Sequence, residues 1–375
     1  MKKILNKEYG ITLIALVITI IILLILAGIS ISALTNTAIF QRTKDAKAKS
    51  EEKELEQNQI LDSYESEINQ YLPGQSGEKL GDKLVDKVND GTIKIGDYVK
   101  YTPDTVSNTD EKYTTLISNL GTYSGSSANT TSTLTQEKLN WRVLDVKDGQ
   151  VRLISEVPTT SKIALSGYNG YNNSVKLLDD TSSTLYNNSK LASKVQNLKI
   201  EDITAHMKTQ PTEDTTEYTP TNINYPKILE QEENQIVEKS TTGNKLKISE
   251  QNEFITGKEI SATSTLKRTY WNKSMTSEDF NSKYYELFIN NGSNYSTYWI
   301  SSRCITTSSY QGGFCVHYVY SANVSAYGLC YSKDKDREYP NVCAFRPIIT
   351  LNSNVQIDIT NSGNGSTAND GYAIK

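Results

Sequence analysis

Residues Asn140–Glu156 read NWRVLDVKDGQVRLISE. Two runs of alternating apolar and polar residues flank Asp148-Gly149, a pair that accepts the positive φ values of a tight two-residue turn. The spacing predicts a β-hairpin, and therefore an antiparallel sheet with at least one buried face.

Downstream, STYWISSR (296–303), GGFCVHYVY (312–320), VSAYGLCYS (324–332) and CAFRPIITL (343–351) have strand composition with turns between them. The tail NSGNGSTANDGYAIK (361–375) supplies a Gly-Asn turn and one last short strand. Upstream, GTIKIGDYVKYTP (91–103) reads as strand around a Gly-Asp turn, and residues 104–138 read as an exposed Ser/Thr/Asn/Gly-rich loop or insertion. NNSVKLLDDTSSTLYNN (172–188) places Val175, Leu178 and Leu185 on one helical face, and LKIEDITAHM (198–207) predicts a second helix near it. Residues 208–260, with Pro211, Pro220 and Pro226, read as loop with short strands. The expected class is α+β.

The chain of 375 residues is long enough for one large or two modest domains. Its net charge of -4 gives no reason to expect a nucleic-acid partner. Only two histidines occur, His206 and His317, which leaves little material for histidine-based catalysis or a multi-histidine metal site. The 24 Tyr against 6 Phe point to surfaces that are half buried and half wet.

The N-terminal segment differs from all of this. No charged residue occurs from Ile11 to Gln41, and residues 11–34 are dense in Ile, Leu, Val and Ala. As a helix at about 1.5 Å per residue, the run spans a bilayer core of roughly 30 Å. A cleaved secretory signal has a shorter apolar core, of about 7 to 15 residues. Lys2, Lys3 and Lys7 keep the N-terminus cytoplasmic, against competition from Arg42, Lys44, Lys47 and Lys49. The expectation is a single-pass protein of the cell membrane with its C-terminal domain outside. Beyond the apolar run, residues 44–72 are rich in helix formers, and Leu61, Tyr64, Ile68 and Tyr71 form one stripe. One long helix over 11–72 is therefore expected, followed by a linker over 73–90 and a domain over 91–375.

The basic leader, Gly10 and the following ITLIALVITIIILLILAGI resemble the prepilin motif of type IV pilins and pseudopilins. The resemblance implies that a prepilin peptidase cuts between Gly10 and Ile11 and methylates the new Ile11 amine. It also implies other pilin-like subunits as partners. Pilins usually carry Glu at the fifth mature position, where this chain has Ala15. An unpaired carboxylate is costly in hydrocarbon, so Ala15 avoids that cost but neutralises no neighbouring amine. That fits a minor or tip subunit, or a prepilin-like protein that stays in the membrane, rather than a major filament subunit.

The ordered series GDYVKY, WRVLDVKDGQVRLIS, GYNNSVKLLDD, IEDITAHM, YWISSRC and FRPIITL resembles a family of surface domains of Gram-positive anaerobic bacteria, distantly similar to the formylglycine-generating enzyme and C-type lectin folds. It implies a mixed α/β domain with an irregular antiparallel sheet and a ligand-binding face. Formylglycine-generating enzymes bind copper through a close Cys pair. Here no two of Cys304, Cys315, Cys330 and Cys343 are local in sequence. The calcium-binding tripeptides of sugar-binding C-type lectins are absent. Neither an enzyme nor a cofactor is expected.

Four cysteines in an extracellular domain are disulfide candidates with three alternative pairings. They lack the CxxC spacing of a zinc site. Asp334, Asp336 and Glu338 read as a solvated charged loop rather than a calcium site. Arg346, Pro347, Trp141, Trp271 and Trp299 read as structural. The Tyr/Ser/Asn/Gly mixture of residues 306–339 resembles antibody paratopes, in which Tyr gives rigid contact area. Tyr310, His317, Tyr318, Tyr320, Asn323, Tyr327 and Tyr331 are the candidates for contacting an extracellular ligand. The functional expectation is a minor or tip pilin-like adhesin, the alternatives being an anchored receptor outside any filament and, less favoured, an extracytoplasmic enzyme of the formylglycine-generating type.

Overall fold

The computed structural model describes residues 82–131, 134–211, 217–218, 253–254, 266–267, 272–281, 283–289, 297–333 and 338–375. Gly10, Ile11, Ala15, the apolar run 11–34 and Trp271, Asp334 and Asp336 lie outside these residues. Among the described residues, no helix is long and apolar enough to cross a membrane.

In chain order the elements are α1 (Leu84–Asn89), β1 (Tyr98–Lys100), α2 (Glu111–Tyr123), the helical turn α3 (Ala128–Thr131), β2 (Trp141–Lys147), β3 (Gln150–Ser155), β4 (Lys162–Leu165), α4 (Gly167–Tyr186), β5 (Ala192–Asn197) and α5 (Ile200–Thr204). Then come β6 (Glu217–Tyr218), β7 (Leu266–Lys267), β8 (Lys273–Ser274), α6 (Tyr284–Phe288), β9 (Tyr298–Thr307), β10 (Gly312–Tyr320), β11 (Asn323–Tyr331), β12 (Asn341–Ala344), β13 (Pro347–Leu351) and β14 (Tyr372–Ala373). Two six-stranded sheets result, ordered β14-β1-β2-β3-β13-β5 and β4-β12-β9-β10-β11-β8, with β6 and β7 paired separately. Each large sheet is antiparallel apart from one parallel pair, β1 with β14 and β12 with β9.

The β2–β3 hairpin turns where the sequence predicts it. Asp148 and Gly149 have φ of 51° and 73°, the two left-handed residues of a type I′ turn. A side chain at Gly149 meets open space, so substitution there strains only the backbone. Gly149→Ala is expected to cost about 1 kcal/mol, read from chemical denaturation with an unchanged m-value.

Trp141 and Val143 of the hairpin enter a first core, together with Tyr171, Leu177, Leu178 and Leu185 of α4 and Trp299, Ile305, Phe314, Val316 and Leu329 of the second sheet. Trp141 packs edge-on against Tyr101 and Tyr186, with ring centroids 5.3 and 5.9 Å away. Leu144 and Ile154, on the other face of the hairpin, enter a second core with Ile200, Ile203, Met275, Phe288, Ile300 and Val324.

Several expectations change. CAFRPIITL is not one strand: β12 belongs to the second sheet and β13 to the first, and the chain crosses between them at Phe345–Arg346. Residues 104–138 hold the 13-residue helix α2, whose Tyr113, Leu116 and Leu120 are buried. The predicted helix over 172–188 begins earlier, at Gly167. Helix α5 sends Ile200 and Ile203 into the second core, whereas α4 serves the first. Part of the expected linker belongs to the domain, because α1 buries Leu84 and Lys83 bridges to Gln356.

Candidate binding face

Strands β9, β10 and β11 form a three-stranded antiparallel platform, and side chains alternate between its faces. On the face that carries Trp299, the rings of Trp299, Tyr318, Tyr320 and Tyr327 run together. Trp299 lies 6.0 Å from Tyr318 and 6.4 Å from Tyr327, and Tyr318 lies 6.1 Å from both Tyr320 and Tyr327.

The strip grades from interior to solvent. Trp299 is fully buried and donates its indole N–H to the Ile163 carbonyl at 2.9 Å. Tyr318 and Tyr327 are half-buried, and Tyr320 is 55 % exposed at the end of the hairpin. Ser321, with φ of 52°, makes the turn, and Asn323 closes it by donating its amide to the Tyr320 carbonyl at 3.4 Å. The Tyr327 hydroxyl donates to the Pro340 carbonyl at 3.4 Å. The buried end fixes the rings, so the exposed end presents aromatic area with little entropy left to lose.

The other candidates lie elsewhere. Tyr310 is 56 % exposed, but it sits in the β9–β10 turn, roughly 30 Å along the strand from Tyr320. His317 is buried between residues of the strip yet points to the opposite face. Burial pushes its imidazole down to about 4, partly opposed by a backbone hydrogen bond with Ser302, so it stays neutral at neutral pH. Tyr331 also lies on the opposite face, its ring over Gly313 and Gly328, where a Cβ collides with it. Its phenol is pushed up to about 12 by burial.

All four cysteines are buried thiols. The fold brings two of them together where sequence spacing does not: Cys304 of β9 faces Cys315 of β10 in register. Cys330 faces Phe314, and Cys343 faces Ile163 on β4. Among the described residues, no group of three or more His, Cys, Asp or Glu side chains is placed to hold a metal. Glu338 lies instead at the N-terminus of α4, against Gly167, where the helix dipole favours a carboxylate. Burial raises its carboxyl, opposed by a hydrogen bond from Ser166.

Two buried charged clusters lie elsewhere in the body. Arg346 is fully buried in the sheet crossover, and its guanidinium donates to the carbonyls of Ser155 (3.0 Å), Glu156 (2.9 Å) and Phe288 (3.1 Å). It is structural, as its place before the final apolar run suggests.

The second cluster was not legible in advance. Arg152 donates to Asp145 at 2.6 Å and to Asp202 at 2.5 Å, and His206 meets the same Asp145 at 2.8 Å. The His206 ring stacks on Tyr284 at 3.8 Å. Burial alone raises the Asp145 carboxyl, but hydrogen bonds from Arg152 and His206 and the Arg152 charge outweigh it and hold the group at about 2. The available signal was a pair of opposite charges, Asp145 and Arg152, inside an otherwise apolar hairpin. The cluster joins the hairpin to α5 and to the segment bearing α6.

No protein family matches this chain, and no curated protein and no solved structure is significantly similar to it.

Proposed function

We propose that this chain is a minor or tip subunit of a type IV pilus-like filament on the cell surface, and that its folded C-terminal body displays a binding face for adhesion or recognition. Prepilin peptidase removes the leader at Gly10–Ile11. Residues 11–34 anchor the subunit in the membrane and then pack by apolar contact among other pilin-like subunits. The binding face is the strip Tyr318, Tyr320 and Tyr327, backed by Trp299.

The observation that carries the binding assignment is this graded aromatic strip, rooted in the core at Trp299 and open at Tyr320. Rigid tyrosines of this kind stack on flat apolar faces such as those of sugar rings while their hydroxyls hydrogen-bond. Asn323 adds an adaptable polar group beside them.

The test is binding of the full chain, in detergent micelles, to an array of surface polysaccharides and oligosaccharides. A bound glycan is expected, with affinity falling about tenfold or more in Tyr320→Ala, the loss of one well-placed aromatic anchor. An empty array, or binding indifferent to Tyr320→Ala and Tyr318→Ala, overturns the assignment of this face.

Ala15 supports a second reading as well, in which the same body is held in the membrane as a receptor that enters no filament. Without a carboxylate at that position, the subunit recruits no neighbouring amine.

A further inference from the structure

We propose that Cys304 and Cys315 become joined by a disulfide bond that staples β9 to β10, while Cys330 and Cys343 remain thiols. Four cysteines allow three complete pairings, and the strand register selects one contact among them. Cys304 and Cys315 are direct antiparallel partners. Residues so opposed hold their Cβ atoms about 4.5–5.5 Å apart, close to the roughly 3.5–4.5 Å that a disulfide spans.

The two thiols already hydrogen-bond. That bond lowers the Cys315 thiol, against the effect of burial, and Thr306 Oγ1 adds a contact at 3.8 Å. Cys330 has its register partner in Phe314, one residue along β10, and so projects from the other face of the sheet. Burial raises its thiol well above the ordinary range. Cys343 is remote from the pair. Its strand meets β9 only at Ala344–Tyr298, roughly 20 Å along the strand from Cys304. Burial pushes its thiol up to about 12.

The chemistry is thiol–disulfide exchange. The Cys315 thiolate attacks one sulfur of a small disulfide oxidant, whose other sulfur leaves as a thiolate. The Cys304 thiolate then attacks the mixed disulfide, forming the Sγ–Sγ bond and releasing the second thiol. Two electrons and two protons pass from the chain to the oxidant. Both residues are almost fully buried once folded, at 1 % and 2 % exposure, so exchange takes place before the sheet closes and the finished bond is shielded.

The test uses the full chain refolded in detergent micelles with oxidised and reduced glutathione, then denatured without reductant, alkylated and digested with chymotrypsin, which cuts after Tyr310 between the two residues. A peptide containing Cys304 linked to one containing Cys315, with Cys330 and Cys343 alkylated, is the expected map. Reductant is expected to lower the thermal midpoint of the wild-type chain by several degrees and to leave that of the C304S/C315S variant unchanged. Alkylation of all four residues, or a link between any other pair, overturns the proposal. If the double variant does not fold, the peptide map alone decides.

Discussion

Arg346→Met is expected to cost about 3 kcal/mol or more, because the carbonyls of Ser155 and Glu156 lose their donor at once and each orphaned group costs about 1–3 kcal/mol, while the Phe288 carbonyl keeps the Tyr298 hydroxyl as a donor. The carbonyls belong to Ser155 and Glu156 at the end of β3 and to Phe288 in α6, so one side chain ties the sheet crossover to both. Methionine fills comparable volume and supplies no N–H, which isolates the hydrogen bonds from the packing. Urea denaturation followed by tryptophan fluorescence measures the loss, since Trp141 and Trp299 are buried in the adjoining core. A loss under about 1 kcal/mol contradicts the role assigned to Arg346.

The second large effect is expected at Arg152. Arg152→Met leaves Asp145 and Asp202 facing each other without the cation between them, and breaking a buried ion pair by removing one partner costs about 3–5 kcal/mol. The same cluster sets an acid limit. A carboxyl held at about 2 in the folded chain and near 3.8 when unfolded gives stability that is present above the unfolded value. That stability is lost as pH falls from about 4 toward 2, and the shift amounts to roughly 2 kcal/mol. Asp145→Asn removes this contribution, so unfolding followed between pH 5 and 2 is expected to show a shallower acid dependence in that variant.

These two arginines show how far the sequence could be read. The β2–β3 hairpin was legible because alternation and Asp-Gly both act locally, and the φ values of Asp148 and Gly149 match. Val175, Leu178 and Leu185 marked α4 for the same reason, since one buried stripe repeats within the helix. Helix α2 was hidden because Tyr113, Leu116 and Leu120 stand among Ser, Thr and Asn, and its stability comes from packing on α4 rather than from propensity.

The switch from β12 to β13 was illegible because a continuous apolar run looks the same whether one sheet or two receive it. Cysteine contact was illegible for a related reason: strand register is a long-range property, and spacing along the chain does not encode it. Of the seven ligand candidates, composition pointed to one hairpin, β10–β11, and its flanking turn. It could not separate Tyr318, Tyr320, Tyr327 and the turn residue Asn323 from His317 and Tyr331 on the other face or from Tyr310 at the far turn. That sorting needs the pleat and the bulges of the platform.

If residues 1–34 are a prepilin segment, the protein's native N-terminus is Ile11, and the N-terminal peptide shows whether it is. Mass spectrometry of that peptide from native cells, comparing sheared surface filaments with membranes, is expected to find a chain beginning at methylated Ile11 in the sheared fraction. A chain that keeps the leader through Gly10 and occurs only in membranes contradicts assembly into a filament, and makes the protein an anchored receptor.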